Sequence, residues 1–199
     1  MKGQLKPVVS SNDHIQGNAS AALELVEYGD YQCPFCGAAY PIIKNIQRKL
    51  GNDLKFVFRN FPLAEMHPNA FLAAVAAEAA GLQKKFWKMH DIIYENQQAL
   101  TWDDLFAYAK AIGLDLDRFK KDISKQEVVD KVENDFESGV RSGVNGTPSF
   151  YINGKKYNGD YEEKIFTRYL KSLLSGDLQE ESSKVVSNDR STNQTIFSR

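Results

Sequence analysis

Residues 23–37 read Leu-Glu-Leu-Val-Glu-Tyr-Gly-Asp-Tyr-Gln-Cys-Pro-Phe-Cys-Gly. The apolar residues at the start of this stretch predict a short buried strand, and residues 29–32 break it. Pro34 suits the first position of a helix, whose apolar face continues to Leu50 before a stop at Gly51. The stretch therefore predicts a strand, a loop and a helix that begins at a pair of cysteines.

The chain has two cysteines, Cys33 and Cys36, three positions apart. A helix that begins here places both sulfurs on one face, at a spacing that a disulfide can bridge. Because the unpaired N–H groups and the dipole of a helix N-terminus favour an anion, we expect a lowered pKa for Cys33, which makes it the nucleophile. Cys36, one turn further in, is expected to remain a buried thiol and to act as the resolving group.

Two other interpretations of the cysteine pair stay open. Two cysteines can simply be small buried hydrophobic residues, or they can supply half of a zinc site. Zinc needs two further ligands, and the histidines His14, His67 and His90 are widely separated and not in a paired spacing. The favoured interpretation is a redox-active disulfide between Cys33 and Cys36, with no metal and no separate cofactor.

The rest of the chain alternates between strand and helix patterns. Residues 55–61 predict a second strand, and residues 67–143 are helical almost throughout. Residues 149–157 predict a hairpin around the turn pair Asn153-Gly154, and a last helix follows. A right-handed crossover makes the first two strands parallel, and the hairpin adds antiparallel strands to the same sheet.

Composition excludes several classes of protein. The 199 residues include 25 basic and 26 acidic side chains, and this balance argues against nucleic acid or anionic lipid as a partner. No apolar run approaches the roughly 20 residues that span a membrane. Residues 1–18 lack the apolar core of a signal peptide, so a cytoplasmic location is expected. A periplasmic or exported protein whose signal had been removed would show the same pattern.

Three motifs resemble the DsbA-like thiol-disulfide oxidoreductases of the thioredoxin superfamily. They are Glu-Leu-Val-Glu-Tyr-Gly-Asp-Tyr-Gln-Cys-Pro-Phe-Cys-Gly at 24–37, Phe-Arg-Asn-Phe-Pro-Leu at 58–63 and Gly-Val-Asn-Gly-Thr-Pro-Ser-Phe-Tyr-Ile-Asn-Gly at 143–154. The resemblance implies an α/β protein, a thioredoxin fold with an inserted all-helical domain. The expected divisions are a flexible N-terminal arm (1–19), the thioredoxin-fold domain (20–66 and 144–175), the helical insertion (67–143) and a mobile polar tail (176–199).

The resemblance also implies further site residues. In this superfamily an acid at the position of Glu27 lies beneath the disulfide and moves the proton of the buried cysteine; Glu24 is the alternative. Thr147-Pro148 matches a loop with a cis-proline, where the backbone of residue 147 pairs with an extended substrate strand. The residues expected to contact the substrate are Pro34, Phe35, Thr147 and Pro148.

Phe35 departs from the family pattern. DsbA itself has a histidine at this position, which stabilises the thiolate and makes the disulfide a strong oxidant. Phe35 offers neither a hydrogen bond nor a charge, so we expect a less oxidising disulfide. The net direction of the reaction, oxidation or reduction, stays open.

Two histidines and a group of aromatic residues are interpreted as structural. His67-Pro68 is expected to begin a helix, and His90-Asp91 to be a pair on a helix surface. Phe86, Trp87, Tyr94 and Trp102 at helical spacing predict part of the core of the helical domain.

The sequence thus predicts a monomeric enzyme that exchanges disulfides with protein thiols and that is recycled by glutathione or a redox partner. A glutathione-dependent isomerase or transferase is one alternative, although such relatives usually lack the second cysteine. A peptide-binding chaperone module without turnover, holding extended chains along the Pro148 edge, is the other.

Overall fold

The computed structural model describes residues 3–175 of the chain. The strands are β1 (His14–Gly17), β2 (Leu23–Gly29), β3 (Leu54–Asn60), β4 (Ser149–Ile152) and β5 (Lys155–Tyr157). The helices are α1 (Pro34–Leu50), α2 (Ala70–Gly81), α3 (Phe86–Glu95), α4 (Trp102–Ala111), α5 (Leu116–Asp122), α6 (Gln126–Ser142) and α7 (Glu163–Ser175), and a 3₁₀ turn (Gly51–Asp53) follows α1. The chain divides after Gly159 into two compact units, of which the second holds α7.

The five strands form one mixed sheet in the order β1-β3-β2-β4-β5. Strands β2 and β3 run parallel, as the predicted crossover through α1 requires, whereas β4 and β5 join as an antiparallel hairpin. Asn153 and Gly154 both adopt positive φ angles, which suit the tight turn predicted there. The predicted parallel pair and hairpin in one sheet are confirmed, whereas β1 was not predicted.

Strand β2 is the centre of the sheet, since β3 lies on one side of it and β4 on the other. Its side chains are buried on both faces, with Val26 and Tyr28 fully inaccessible to solvent. A near-continuous apolar strand of this kind is typical of a sheet covered on both sides. Glu27, in the middle of β2, is therefore placed in the interior of the protein.

Five consecutive helices, α2–α6, lie between β3 and β4 in the chain. Alanine-rich α2 is buried almost all the way round and packs against α3 and α6. Its small side chains allow neighbouring helices to approach closely, and a helix that is apolar all round belongs in the centre of a helical block. Among residues 3–175, no helix is both long enough and apolar enough to cross a membrane.

The N-terminal segment differs from the prediction. Residues 1–19 were expected to form a flexible arm, but β1 pairs antiparallel with β3 along its whole length. Leu5 is buried, and its backbone N–H donates a hydrogen bond to the carbonyl oxygen of Gly154 at 2.9 Å. The prediction is wrong for the described residues of the arm, because sheet pairing and burial hold them in place. The predicted mobile tail, 176–199, lies outside the described residues.

A buried ion pair also holds this segment. The guanidinium of Arg59 on β3 donates to the carboxylate of Asp13 at 2.7 Å and to the carbonyl oxygen of Pro7 at 3.0 Å. Both side chains are almost inaccessible, at 2% for Arg59 and 6% for Asp13. The hydrogen bonds with Arg59 help to hold the pKa of Asp13 below its usual value against the opposing effect of burial.

Candidate active site

The two cysteines lie at the N-terminus of α1, as predicted. Cys33 is the N-cap residue, in an extended conformation, and Pro34 occupies the first turn of the helix. The carbonyl oxygen of Cys33 accepts the helical hydrogen bond from Gly37 N–H at 3.1 Å. Because the first N–H groups of a helix have no partners within it, the sulfur of Cys33 lies where a negative charge is favoured.

The structure lowers the pKa of Cys33 to about 5. A hydrogen bond from the Cys36 thiol is the main cause; partial burial opposes it, and contacts from the Thr147 side chain and the backbone of Cys36 and Phe35 add to the lowering. A donor that reaches the sulfur favours the charged form of the thiol. Cys33 is therefore a thiolate at neutral pH.

The neighbouring thiol behaves in the opposite way. Cys36 is 0% exposed, and burial raises its pKa well above the usual value. The hydrogen bond to Cys33 and the nearby carboxyl group of Glu27 raise it further. Both residues are free thiols in the structure. The pair thus combines one ionised and one protonated sulfur within a single helical turn.

Glu27 lies in the middle of β2, between Phe58 of β3 and Phe150 of β4. It is 3% exposed, and burial, with a smaller contribution from Cys33, raises its pKa to about 8. Glu24, the alternative, faces Lys55 in an ion pair of 2.6 Å and is only half-buried. The structure therefore places Glu27, and not Glu24, within electrostatic reach of the cysteines.

The loop before β4 faces Cys33. The Thr147–Pro148 peptide bond is cis, as the resemblance implied. As a thiol, Cys33 Sγ donates to the carbonyl oxygen of Thr147 at 3.4 Å. The hydroxyl oxygen of Thr147 is buried and has no other partner within the described part of the chain. Thr147 thus presents both a backbone carbonyl and a hydroxyl to the reactive sulfur.

Pro34 and Phe35 are exposed beside the cysteines. The side chain of Phe35, at 64% exposure, is among the most exposed large apolar groups of the described residues. An exposed apolar ring next to a reactive sulfur can contact an incoming polypeptide. The geometry is compatible with the predicted substrate-contacting role of both residues, which stays a prediction.

Asp30 was not predicted as a site residue. Its side chain is fully buried, and Oδ1 accepts hydrogen bonds from the backbone N–H groups of Gln32 at 2.7 Å and Cys33 at 3.2 Å. Oδ2 accepts from Leu63 N–H at 2.8 Å and from His67 Nδ1 at 2.8 Å. The carboxylate therefore shapes the turn that leads into α1, and an acidic residue in a loop gives no local signal of such a role.

Gln97 was also missed. It lies between α3 and α4, and its amide Nε2 donates to the carbonyl oxygens of Tyr31 at 2.8 Å and Cys33 at 3.0 Å. Gly37 faces this amide so closely that a Cβ atom there would collide with it. The helical block thus supplies one of the contacts that hold the cysteine turn.

Each of the three histidines has a polar partner other than the two sulfurs. His14 Nε2 lies 2.7 Å from Glu78, and His67 lies 2.8 Å from Asp30. His90 was interpreted as half of a surface pair, and this is wrong: it is 3% exposed and lies 3.0 Å from the hydroxyl of Tyr31. Burial lowers the pKa of His90 well below its usual value, so its ring is neutral.

The expected aromatic core of the helical block is confirmed for two of its members. Phe86 and Tyr94 are buried, whereas Trp87 is partly exposed and donates from Nε1 to the carbonyl oxygen of Ile15 at 3.1 Å. Tyr94 packs against Tyr31 and so extends the core towards the cysteine turn.

Curated relatives match most of this chain but little of their own length. Na(+)/H(+) antiporter NhaA 1 of Mycobacterium sp. (strain KMS) is 40% identical over 170 residues, which cover 84% of this chain and 28% of that protein. Na(+)/H(+) antiporter NhaA 3 of Salinispora tropica is 36% identical over 176 residues, or 88% of this chain and 27% of that protein. The chain therefore spans less than a third of the curated relatives it matches.

Solved structures share the fold. BdbD from Bacillus subtilis superimposes with a TM-score of 0.76 at 24% identity, over 88% of this chain and 98% of that one. The thiol-disulfide exchange protein alpha-DsbA2 from Wolbachia pipientis gives a TM-score of 0.73 at 21% identity, over 82% and 88% of the two chains. The likeness shows a shared fold, and the five helices between β3 and β4 of this chain agree with the predicted α/β thioredoxin fold with a helical insertion.

The sequence model of the thioredoxin family matches residues 9–172. This range contains all five strands of the sheet, together with the cysteine turn and the helical block. The chain belongs to the thioredoxin family.

Proposed function

We propose that this protein is a thiol-disulfide oxidoreductase that exchanges disulfides with protein thiols through Cys33 and Cys36. The observation that carries the proposal is the opposite behaviour of the two sulfurs. The pKa of Cys33 is lowered to about 5, whereas that of Cys36 is raised well above its usual value. Such a pair provides a thiolate nucleophile and, one turn away, a protonated resolving thiol.

In the oxidising direction, a substrate thiolate attacks the Sγ of Cys33 in the Cys33–Cys36 disulfide. The sulfur–sulfur bond breaks, a mixed disulfide forms at Cys33, and Cys36 leaves as a thiolate that takes up a proton. A second substrate thiolate then attacks the substrate sulfur of the mixed disulfide, and Cys33 leaves as a thiolate. The substrate loses two electrons and two thiol protons, and the enzyme disulfide gains two electrons.

In the reducing direction, the Cys33 thiolate attacks a substrate disulfide, and Cys36 resolves the mixed disulfide. Cys36 must lose its proton for this step, and it is buried away from solvent. Glu27 is the carboxyl group whose charge raises the pKa of Cys36, and its own pKa of about 8 suits proton exchange near neutral pH. We therefore assign to Glu27 the transfer of the Cys36 proton.

The surroundings of Cys33 favour a polypeptide substrate. The Thr147–Pro148 segment lies at the sulfur and directly precedes strand β4, so that its backbone can pair with an extended chain. Pro34 and Phe35 directly follow Cys33 in the chain, are exposed, and offer apolar contact to a substrate. We therefore propose that Pro34, Phe35, Thr147 and Pro148 contact the substrate.

Insulin reduction and the oxidation of reduced ribonuclease test the proposal. Wild-type protein should catalyse at least one of the two reactions, and Cys33→Ser should abolish both. Cys36→Ser should accumulate a mixed disulfide with the substrate, because the resolving thiol is lost. Wild-type protein that catalyses neither reaction, or Cys33→Ser protein with wild-type rates, would overturn the proposal.

The same variants separate the alternatives. A glutathione-dependent isomerase or transferase would keep its activity with glutathione in the Cys36→Ser variant. A chaperone module would bind unfolded protein equally well in both cysteine variants and catalyse no exchange. Equilibration of the wild-type pair with glutathione then measures its potential and so the favoured direction of the reaction.

A further inference from the structure

Beside the cysteine turn lies a second buried carboxylate, which the proposed reaction does not use. The side chain of Asp30 is 0% exposed and accepts four hydrogen bonds. Three of the donors are backbone N–H groups, those of Gln32, Cys33 and Leu63. The fourth is the imidazole of His67. Because a buried carboxylate is costly without partners, this full set of donors compensates for the burial of Asp30.

Asp30 is directly connected to both sulfur-bearing residues. Its Oδ1 accepts a hydrogen bond from Cys33 N–H at 3.2 Å, and its own backbone N–H donates to Cys36 Sγ at 3.5 Å. A negative charge this close disfavours a thiolate at Cys33. A protonated His67 would offset that charge, and Phe35 in the cysteine motif offers no charge of its own.

We propose that Asp30 and His67 act together as a positioning pair for the cysteine turn, in which the proton on His67 controls how readily Cys33 is held as a thiolate. The inference rests on the proposed function of Cys33 as the nucleophile. Asp30 holds the turn through the backbone N–H groups, and His67 sets the net charge beside it. Neither residue takes part in bond exchange.

His67 is the member of the pair that solvent can reach. Its side chain is 18% exposed, so it can exchange a proton with solvent, whereas the side chain of Asp30 is 0% exposed. The other titratable residues in contact with Asp30 or coupled to it are Cys33 and Cys36 at the start of α1 and Tyr94 on α3, whose pKa Asp30 helps to raise. Glu27, with a pKa of about 8, acts on the same two cysteines. Cys36 and Tyr94 stay protonated near neutral pH, because burial raises the pKa of each well above its usual value.

The chain supplies a matched control. His14 also pairs with a buried carboxylate, that of Glu78 at 2.7 Å, and has a similar side-chain exposure of 23%. This second pair links β1 to α2. Within the described residues, the polar contacts of its carboxylate are with His14, Asn60 and Lys131, and none is with a sulfur. A change that arises from local charge at Cys33 should therefore follow His67 and not His14.

The first experiment measures the thiolate absorbance of Cys33 against pH in the reduced protein. His67→Asn keeps a donor at the position of Nδ1 but cannot carry a charge, and His14→Gln does the same at Nε2 of the control pair. We expect His67→Asn to raise the midpoint by about 0.5–1 pH unit, as for one charge several ångströms away. His14→Gln should leave it unchanged. An unchanged midpoint in His67→Asn, or an equal shift in both variants, would overturn the inference.

The second experiment leaves His67 intact and so does not depend on how His67→Asn folds. Coupling between two sites is reciprocal, so a Cys33 thiolate must raise the midpoint at which His67 titrates. We expect imidazole NMR titrations to give a midpoint for His67 at least ~0.3 pH unit higher in reduced wild-type protein than in Cys33→Ser, with His14 unmoved. Equal His67 midpoints would contradict the inference. Both measurements need no substrate, so failure of insulin reduction would count against the proposed function alone.

Discussion

The side-chain amide of Gln97 donates a hydrogen bond to the carbonyl oxygen of Cys33 at 3.0 Å. The two residues are 64 positions apart, and Gln97 comes from the helical block. The same amide nitrogen holds the carbonyl oxygen of Tyr31 at 2.8 Å. The helical insertion is thus part of the framework of the cysteine turn, and the contact leads to the first prediction.

Replacement of Gln97 by alanine should lower the free energy of unfolding by about 1–2 kcal/mol, because two carbonyl oxygens lose their donor. Urea denaturation measures this change. Gln98 is an exposed neighbour of the same type, and Gln98→Ala should have little effect. Equal losses in the two variants would show that the contact with Cys33 contributes nothing.

Removal of the Cys36 thiol should raise the pKa of Cys33, since the hydrogen bond from Cys36 is the main cause of the lowering. Cys36→Ser keeps a hydroxyl donor, whereas Cys36→Ala removes it. We therefore expect the midpoint of the Cys33 titration to increase in the order wild type, Cys36→Ser, Cys36→Ala. Thiolate absorbance against pH gives the three midpoints. If Cys36→Ala had the same Cys33 midpoint as the wild type, the Cys36 hydrogen bond would not be the main cause of the lowered pKa.

Glu27 should make stability depend on pH. In the folded protein its pKa is about 8, against a usual value of 4.5, so unfolding releases a proton between these values and the free energy of unfolding falls as pH rises. Glu27→Gln removes this contribution. From about pH 5 to about pH 8.5, the variant should gain roughly 2–4 kcal/mol of unfolding free energy relative to wild type.

Cys33 contributes with the opposite sign: because its pKa is lowered to about 5, it stabilises the folded, reduced protein as pH rises from about 5 to the pKa of Cys33 in the unfolded chain. Both proteins contain Cys33, so the difference in unfolding free energy between Glu27→Gln and wild type cancels this contribution. Glu24→Gln is the control, because Glu24 is partly exposed and pairs with Lys55. A pH-independent difference between Glu27→Gln and wild type would mean that Glu27 is ionised in the folded state.

Phe35→His should make the disulfide more oxidising. A histidine adds a donor and, when protonated, a charge beside the sulfur, so we expect a lower pKa for Cys33 and a potential higher by several tens of millivolts, where ~30 mV corresponds to about 1.4 kcal/mol. The fold should persist, since the side chain is 64% exposed. Equilibration with glutathione gives the potentials, with Phe35→Leu as the uncharged control. An unchanged or lower potential would indicate that Thr147 or Glu27 sets it.

The buried ion pair between Arg59 and Asp13 should be sensitive to the loss of either partner. Arg59→Met leaves the Asp13 carboxylate buried without its cation, and we expect a loss of about 3–5 kcal/mol of unfolding free energy. Arg141 pairs with Glu137 at the surface, where both side chains are more than half exposed, and Arg141→Met should cost less than about 1 kcal/mol. Denaturant unfolding compares the two, and similar losses would show that burial of the pair is unimportant.

Patterns between near neighbours in the chain were enough to predict much of the fold. The apolar run of β2, the break before Cys33 and Pro34 in the first turn of α1 are local features, and the structure confirms what they predict. Within the predicted helical stretch 67–143, the separate helix α5 is defined only by the structure, where Asp115 caps it by accepting a hydrogen bond from Arg118 N–H. A helix of seven residues is too short to show a clear apolar period.

The sequence by itself determined the strand–turn–helix unit, the order of the elements and the asymmetry of Cys33 and Cys36, because helix termini and alternating burial depend on residues a few positions apart. Only the tertiary structure decided how the cysteine turn is held. Asp30 meets His67 across 37 positions, and Gln97 meets Cys33 across 64. Such contacts join common polar residues that no periodic pattern links, and they exist only once the sheet and the helical block have brought distant segments together.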